Sequence, residues 1–293
     1  MKIAVYGTEV REDFLPIYQR IFKFFETHSI ELILHERIKA ILNVDYHMDT
    51  PDSGVFDGVE PLTWKVNFIL SIGGDGTFLN AIAYALAVGA PVAGINCGRL
   101  GFLADISSDN LEQALNQLLI GDFKVEQRTL LEIIEPENIF DGFKFAANEI
   151  TVQKLDDSSM IKIDSFINDE FLASYWADGL IVGTPTGSTA YSLSVGGPIV
   201  TPDLAGFIIT PIASHNLTIR PVVVPDHVEI ELRIGGRGHQ FMVSIDHKSE
   251  PLDFTSILKI RKAAVAFPVV KLNGLSFYST LRNKLMWGAD KRN

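Results

Sequence analysis

The segment from Val66 to Thr77, VNFILSIGGDGT, limits what this chain can fold into more than any other stretch. Val66 to Ile72 is an apolar run of the kind found in a strand covered on both faces. Three glycines and one aspartate follow at once, Gly73-Gly74-Asp75-Gly76, and a helix is expected from about Thr77 to Val88. Gly89 and Pro91 then lead into a second buried strand, Pro91 to Ile95. A buried strand, a tight turn, a helix and another buried strand together make the unit of a parallel sheet.

Elements flanking this unit repeat the alternation. Lys2 to Tyr6 and Ile30 to Leu34 read as strands, Phe14 to Phe25 carries apolar residues at helical spacing, and Asn110 to Leu119 reads as a further helix. The first domain, residues 1–125, is therefore expected to be α/β with a Rossmann-like, mostly parallel, doubly wound sheet. From about Phe123 the pattern changes to short β-rich segments bounded by Gly, Pro, Asp and Asn: Thr129 to Ile134, Phe143 to Val152, Ile161 to Ile167 and Glu229 to Ile234. A β-rich, antiparallel, sandwich-like second domain is expected over 126–270. Val265 to Val270 again resembles a buried strand, and Leu281 to Trp287 is expected to be a terminal helix within a segment, 271–293, that returns to the first domain. The stretch from Asp45 to Glu60 holds Asp49, Asp52, Asp57 and Glu60 with two glycines and Pro51, and is expected to be a mobile acidic loop. It lacks the spacing of an EF-hand.

Charge narrows the function. A formal net charge of −11 over 293 residues disfavours nonspecific binding to nucleic acid or to an anionic membrane. Any phosphate site must then rely on backbone N–H groups, helix N-termini and a metal ion rather than on a basic surface. The single cysteine, Cys97, permits no intrachain disulfide and suits a reducing compartment; it is expected to be a small core residue. The N-terminus lacks the features of a signal peptide, and the longest apolar run, Ala81 to Ile95, is interrupted by Gly89, Pro91 and Gly94. A soluble, cytoplasmic protein is expected.

Two segments concentrate chemistry. In the first, the glycines of Gly73 to Thr77 leave room for a phosphate to approach the backbone at the N-terminus of a helix. Asp75, the one carboxylate there, either acts as a base toward an attacking hydroxyl or caps the helix. The segment fits neither G-x-G-x-x-G nor a Walker A loop. The second, Asp178 to Val200 (DGLIVGTPTGSTAYSLSVGGPIV), is a strand running into a loop rich in hydroxyls and exposed N–H groups. Ser188 and Thr189 suit helix caps there and Gly187 a tight turn.

Gly73 to Thr77, Asn148-Glu149 and Asp178 to Pro198, with Asn96 to Leu103 (NCGRLGFL), resemble the NAD kinase family from about Val66 to Asp246. The pentapeptide alone is shared with lipid kinases and phosphofructokinases, whereas the long TPTGSTAYSLS run is specific. The resemblance implies phosphorylation of the 2′-hydroxyl on the adenosine ribose of NAD, with ATP or polyphosphate as donor and Mg²⁺ as the divalent metal. It implies that Asp75 is the proton acceptor, with Gly74, Gly76 and Thr77 beside it. Asn148 and Glu149 would grip the adenosine end, and Asp178 would lie near the nicotinamide amide. Thr189, Ala190, Tyr191, Ser192, Leu193 and Ser194 would line the pocket, Tyr191 as a stacking surface, with Ala213 a small residue near the adenine. Ala213 as core and Asn148-Glu149 as an ordinary turn are the plainer alternatives. Homodimers or homotetramers are implied as well. The chain departs from the family at Asn80 and Trp176, where a basic residue is common, and at Lys248, which ends Asp246-His247-Lys248 in place of D-x-Q. A kinase for another alcohol, or a non-catalytic dinucleotide sensor, are the rival functions.

Overall fold

The computed structural model describes residues 1–51, 54–57, 66–98, 101–155 and 159–288. The chain divides into two compact units, one of Met1–Gln127 with Phe267–Asn293 and one of Arg128–Ala266.

The first unit begins with β1 (Lys2–Tyr6), α1 (Leu15–Thr27) and β2 (Glu31–His35). Helix α1 starts with a proline in its first turn and buries Ile17, Tyr18, Ile21, Phe22 and Phe25, the i, i+3/i+4 stripe of an amphipathic helix. The short α2 (Glu36–Ala40) runs into a π-helical turn over Ile41–Asp45, and β3 (Val55–Phe56) pairs in parallel with β2. The expected acidic loop is thus partly regular structure, because the apolar Val55 and Phe56 extend the sheet; Asp52 and Glu60 lie outside the described residues. Next come β4 (Phe68–Gly73), α3 (Asp75–Val88), β5 (Val92–Asn96), β6 (Ile106–Ser107) and α4 (Leu111–Ile120). Strands β5, β4, β1, β2 and β3 lie side by side, all parallel. All six residues of β4 are buried, as the apolar run requires of a strand covered on both faces. Gly89 ends α3 in the left-handed conformation that favours glycine.

The second unit is built from antiparallel strands. Strand β7 (Phe123–Glu135) enters it and pairs with β8 (Phe145–Ala146). Then follow β9 (Glu149–Lys154), β10 (Ile161–Ile167), β11 (Glu170–Ala177), β12 (Gly179–Gly183), the one-turn α5 (Tyr191–Ser194) and β13 (Gly206–Ile212). Strands β14 (Val222–Pro225), β15 (Ile230–Gly235), β16 (Gln240–Ile245), β17 (Lys248–Asp253) and β18 (Ile257–Leu272) complete it. One sheet has the order β14-β13-β12-β9-β16-β17, and β11-β10-β15-β18 run side by side in the other. One apolar cluster joins Val152, Leu180 and Phe207 of the first to Ile163, Leu232 and Ile260 of the second. Two antiparallel sheets over a shared core make the expected sandwich.

The last residues of β18 belong to the first unit, where Val269 pairs in parallel with Val92 of β5. Helix α6 (Phe277–Leu285) follows, opened by a reciprocal capping box between Ser276 and Ser279.

Candidate functional site

In the first unit the site starts where β4 ends. Gly74 is the N-cap of α3 and Asp75 its first residue, so the helix begins two residues earlier than expected. Asp75 does not cap its own helix. Its Oδ2 accepts the N–H of Phe102 at 2.9 Å, and its Oδ1 accepts those of Leu103 at 3.0 Å and Ala104 at 2.9 Å. A Cβ at Gly101 would collide with Asp75 Oδ1, so a glycine is needed where that segment passes the carboxylate. Lys284 of α6 brings its Nζ to 3.5 Å from Oδ2, with the two side chains 31% and 30% exposed.

Gly74 and Gly76 are exposed, and a Cβ on either would meet nothing within 4 Å. Nothing in the protein's own packing demands glycine there. The cleared space and the N-terminal N–H groups of α3 make a place an anion can approach. Thr77 spends its hydroxyl on Thr8, 3.0 Å away. Asn80, in place of a cation, donates to the Gly76 carbonyl at 3.1 Å.

In the second unit the centre is Asp246, which is not among the residues expected to form the site. Its carboxylate accepts the N–H groups of Ala147 at 2.9 Å, Asn148 at 2.8 Å and Glu149 at 3.1 Å. Desolvation pushes its pKa up, against the pull of those amide bonds. Asn148 and Glu149 are therefore no ordinary turn: their backbone is pinned at the start of β9. Glu149 is buried, one carboxylate oxygen has no hydrogen-bond partner, and Tyr191 offers a backbone N–H to the group. Burial, and next the charge of Asp246, push the Glu149 pKa up to about 8. An unpartnered buried carboxyl oxygen is costly unless a ligand completes it.

The hydroxyl-rich loop is fastened to the same backbone. Thr184 donates from its hydroxyl to the Ala147 carbonyl at 2.5 Å and from its N–H to the Asn148 carbonyl at 2.8 Å. Gly187 approaches that Asn148 carbonyl so closely that a Cβ would overlap it. Ser188 bonds the backbone of Val200, Thr189 donates to the Thr186 carbonyl at 3.2 Å, and buried Ser192 lies 2.9 Å from the Thr210 hydroxyl. The expected capping by Ser188 and Thr189 does not occur, because those hydroxyls are engaged within the loop. Ala190 and Leu193 are half-buried, and Tyr191 and Ser194 are exposed, the Tyr191 hydroxyl accepting from Gln153 at 3.1 Å.

Asp178 pairs with Lys154 at 2.9 Å. Trp176 lines a cavity of about 690 Å³ with Lys154, Lys162 and Arg237, so cations surround the position where the family often places an arginine. Ala213 is exposed with φ +47°, which removes the core alternative for it. Burial pushes the Cys97 thiol up to about 12, so this cysteine is not a reactive thiolate. Gly101 and Asp246 are visible in the sequence only as motif letters, and Lys284 carries no spacing signal; what these residues contact comes from folding alone.

A glycine-cleared helix N-terminus in an α/β unit, beside a pinned carboxylate, belongs to the phosphate-handling class of proteins. The comparisons specify that class. Residues 11–123 match the model of the ATP-NAD kinase N-terminal domain, and residues 147–272 that of the ATP-NAD kinase C-terminal domain. The chain is 45% identical to an NAD kinase of Flavobacterium johnsoniae and 41% identical to one of Bacteroides fragilis, covering 100% of both partners in each case. Among solved structures, it resembles an Archaeoglobus fulgidus NAD kinase in complex with ATP (26% identity, TM-score 0.74, 98% of this chain and 99% of that one). It also shares its fold with a yeast NADH kinase complexed with NADH (22% identity, TM-score 0.83, 99% and 88% covered). The chain belongs to the NAD kinase family, and it is a phosphotransferase.

Proposed function

We propose that this chain transfers the terminal phosphate of ATP to the adenosine-ribose 2′-hydroxyl of NAD, giving NADP, with Asp75 as general base. Family membership supports the reaction. The observation that carries the residue assignment is the Asp75 carboxylate, fixed by three amides beside two glycines that clear space for a ligand.

A carboxylate has about four lone-pair sites; three are filled by amides, and the fourth is the one a substrate hydroxyl takes. The N–H groups at the start of α3 and the open faces of Gly74 and Gly76 receive the donor's phosphates. The free oxygen of Glu149 accepts from the adenosine end of NAD, and Asn148 offers an amide beside it. Tyr191 supplies an exposed ring for stacking, and Asp178, held by Lys154, serves the nicotinamide amide. Among the described residues no group of three or more His, Cys, Asp or Glu is built to hold a metal. Mg²⁺ is read as part of the substrate, arriving on the phosphates of ATP, and polyphosphate is a second donor to try.

The described part of the chain has no helix long and apolar enough to cross a membrane. A cytoplasmic homodimer or homotetramer is the working expectation, and sedimentation analysis tests the assembly. The decisive assay follows NADP formation from NAD, ATP and Mg²⁺ by wild type and Asp75→Asn. Wild-type turnover that the substitution lowers by about 10²–10⁴ supports both reaction and base. Turnover only with another alcohol, or dinucleotide binding without turnover, overturns the reading.

A further inference from the structure

We propose that Lys284 is a second catalytic residue, one that leaves Asp75 for the transferring phosphoryl group when the acceptor hydroxyl arrives. The inference rests on the reading of Asp75 as the base.

The lone pairs of Asp75 are unequally used. Both amide bonds to Leu103 and Ala104 fall on Oδ1, and the Phe102 bond falls on Oδ2. Oδ2 therefore keeps the one acceptor site that a hydroxyl can use. Lys284 Nζ stands at that oxygen, 3.5 Å away, close enough for charge attraction and too far for a formed hydrogen bond. It is the one ion pair of Asp75 among the described residues.

Lys284 is not there by chance of a loose side chain. Helix α6 is capped by Ser276 and Ser279 and anchored by buried Thr280 and Leu281. The Phe277 ring lies 6.2 Å from that of Phe102, and the Lys284 ammonium sits 4.5 Å over the same Phe102 ring. Phe102 thus donates its N–H to the base and offers its ring to the cation. Such a cation–π contact holds an ammonium without using its protons.

A hydroxyl bonded to Oδ2 displaces Lys284 from that lone pair but leaves it a few ångströms away. Phosphorus must come within reach of the same acceptor oxygen, and the phosphoryl oxygens then offer the ammonium a stronger partner. In the transfer, the acceptor O–H bond breaks and its proton goes to Asp75 Oδ2. The acceptor oxygen bonds to phosphorus as the bond from phosphorus to the bridging oxygen of ATP breaks, and that oxygen leaves on ADP with the electron pair. Lys284 keeps its three protons and supplies only charge.

The test uses the full chain with K284Q, K284R, D75N and the D75N/K284Q double variant. In steady-state assays K284Q is expected to lower kcat about a hundredfold while KM for NAD stays within about threefold, and K284R to recover most of the loss. Calorimetry with the non-hydrolysable analogue AMPPNP and Mg²⁺ reads the same residue without turnover. D75N, by releasing Lys284, is expected to tighten AMPPNP by about fivefold more in the presence of Lys284 than in the K284Q background. Wild-type kcat in K284Q, equal loss in K284R and K284Q, an additive cycle, or no AMPPNP binding by wild type would each overturn the proposal. A wild type that binds AMPPNP but makes no NADP sinks the NAD kinase reading alone, and the cycle still decides Lys284.

Discussion

Asp75 in the first unit and Asp246 in the second each accept hydrogen bonds from three consecutive backbone N–H groups, those of residues 102–104 and 147–149. The surroundings differ. Asp75 has a side chain 30% exposed and faces a lysine, beside glycines that leave open space. The Asp246 carboxyl is desolvated, and Glu149, which feels its charge, is itself buried. One cradle therefore serves two ends: in one unit it holds a carboxylate beside open space, and in the other it uses a more fully desolvated one to fix the backbone that carries Asn148 and Glu149.

The same substitution at both sites tests this contrast most strongly. In each, Asn replaces a carboxylate oxygen by an NH₂ that meets a backbone N–H. At Asp75 water can relieve the clash, so D75N is expected to cost about 1 kcal/mol of stability, with kcat down by about 10²–10⁴. At Asp246 the carboxyl is more strongly desolvated, and D246N is expected to cost about 3 kcal/mol, seen as a lower urea midpoint with unchanged slope. If D246N unfolds like wild type, or D75N is the less stable of the two, the division of roles fails.

These two carboxylates also mark what the sequence could and could not show. The strand, glycine turn and helix of 68–88 were legible because an apolar run, a glycine cluster and Gly89 each signal locally. The amide partners of Asp75 lie 27 to 29 residues away, and no local pattern pairs them. Ser188 and Thr189 have the chemistry of caps, but tertiary contacts claimed their hydroxyls. Val55 and Phe56 form too short a strand to show alternation inside an acidic stretch. A single lysine near the C-terminus gives no hint that α6 delivers it to Asp75. Local chemistry was readable, and long-range pairing was not.

The Glu149 side of the contrast is sharpened by pH. Its folded-state pKa, about 8, lies above the usual carboxylate value. While the group is protonated in both states it costs nothing extra. As pH rises past the unfolded value, the unfolded chain ionises first, and stability falls until the folded group ionises near the upper value. Wild type should therefore lose stability relative to E149Q between the two values, with a slope approaching about 1.4 kcal/mol per pH unit. Urea unfolding of both proteins from pH 5 to 8 measures it. Parallel curves would show that Glu149 is not desolvated and is no waiting acceptor.

The smallest change aims at the cradle of Asp75 itself. Gly101 passes the carboxylate so closely that a Cβ would strike Oδ1. Its N–H also bonds the Ala104 carbonyl at 3.1 Å, so the turn is tight and cannot easily swing away. Gly101→Ala should push the carboxylate off its amides rather than remove it, leaving the base chemically intact but misplaced. A misplacement of this kind is expected to lower kcat about tenfold, with KM for NAD and ATP nearly unchanged. The effect should vanish when Gly101→Ala is added to D75N, since no base remains to be displaced. A tenfold loss that persists in the D75N background would mean that Gly101 matters to the turn and not to Asp75, and the carboxylate's position would then need another explanation.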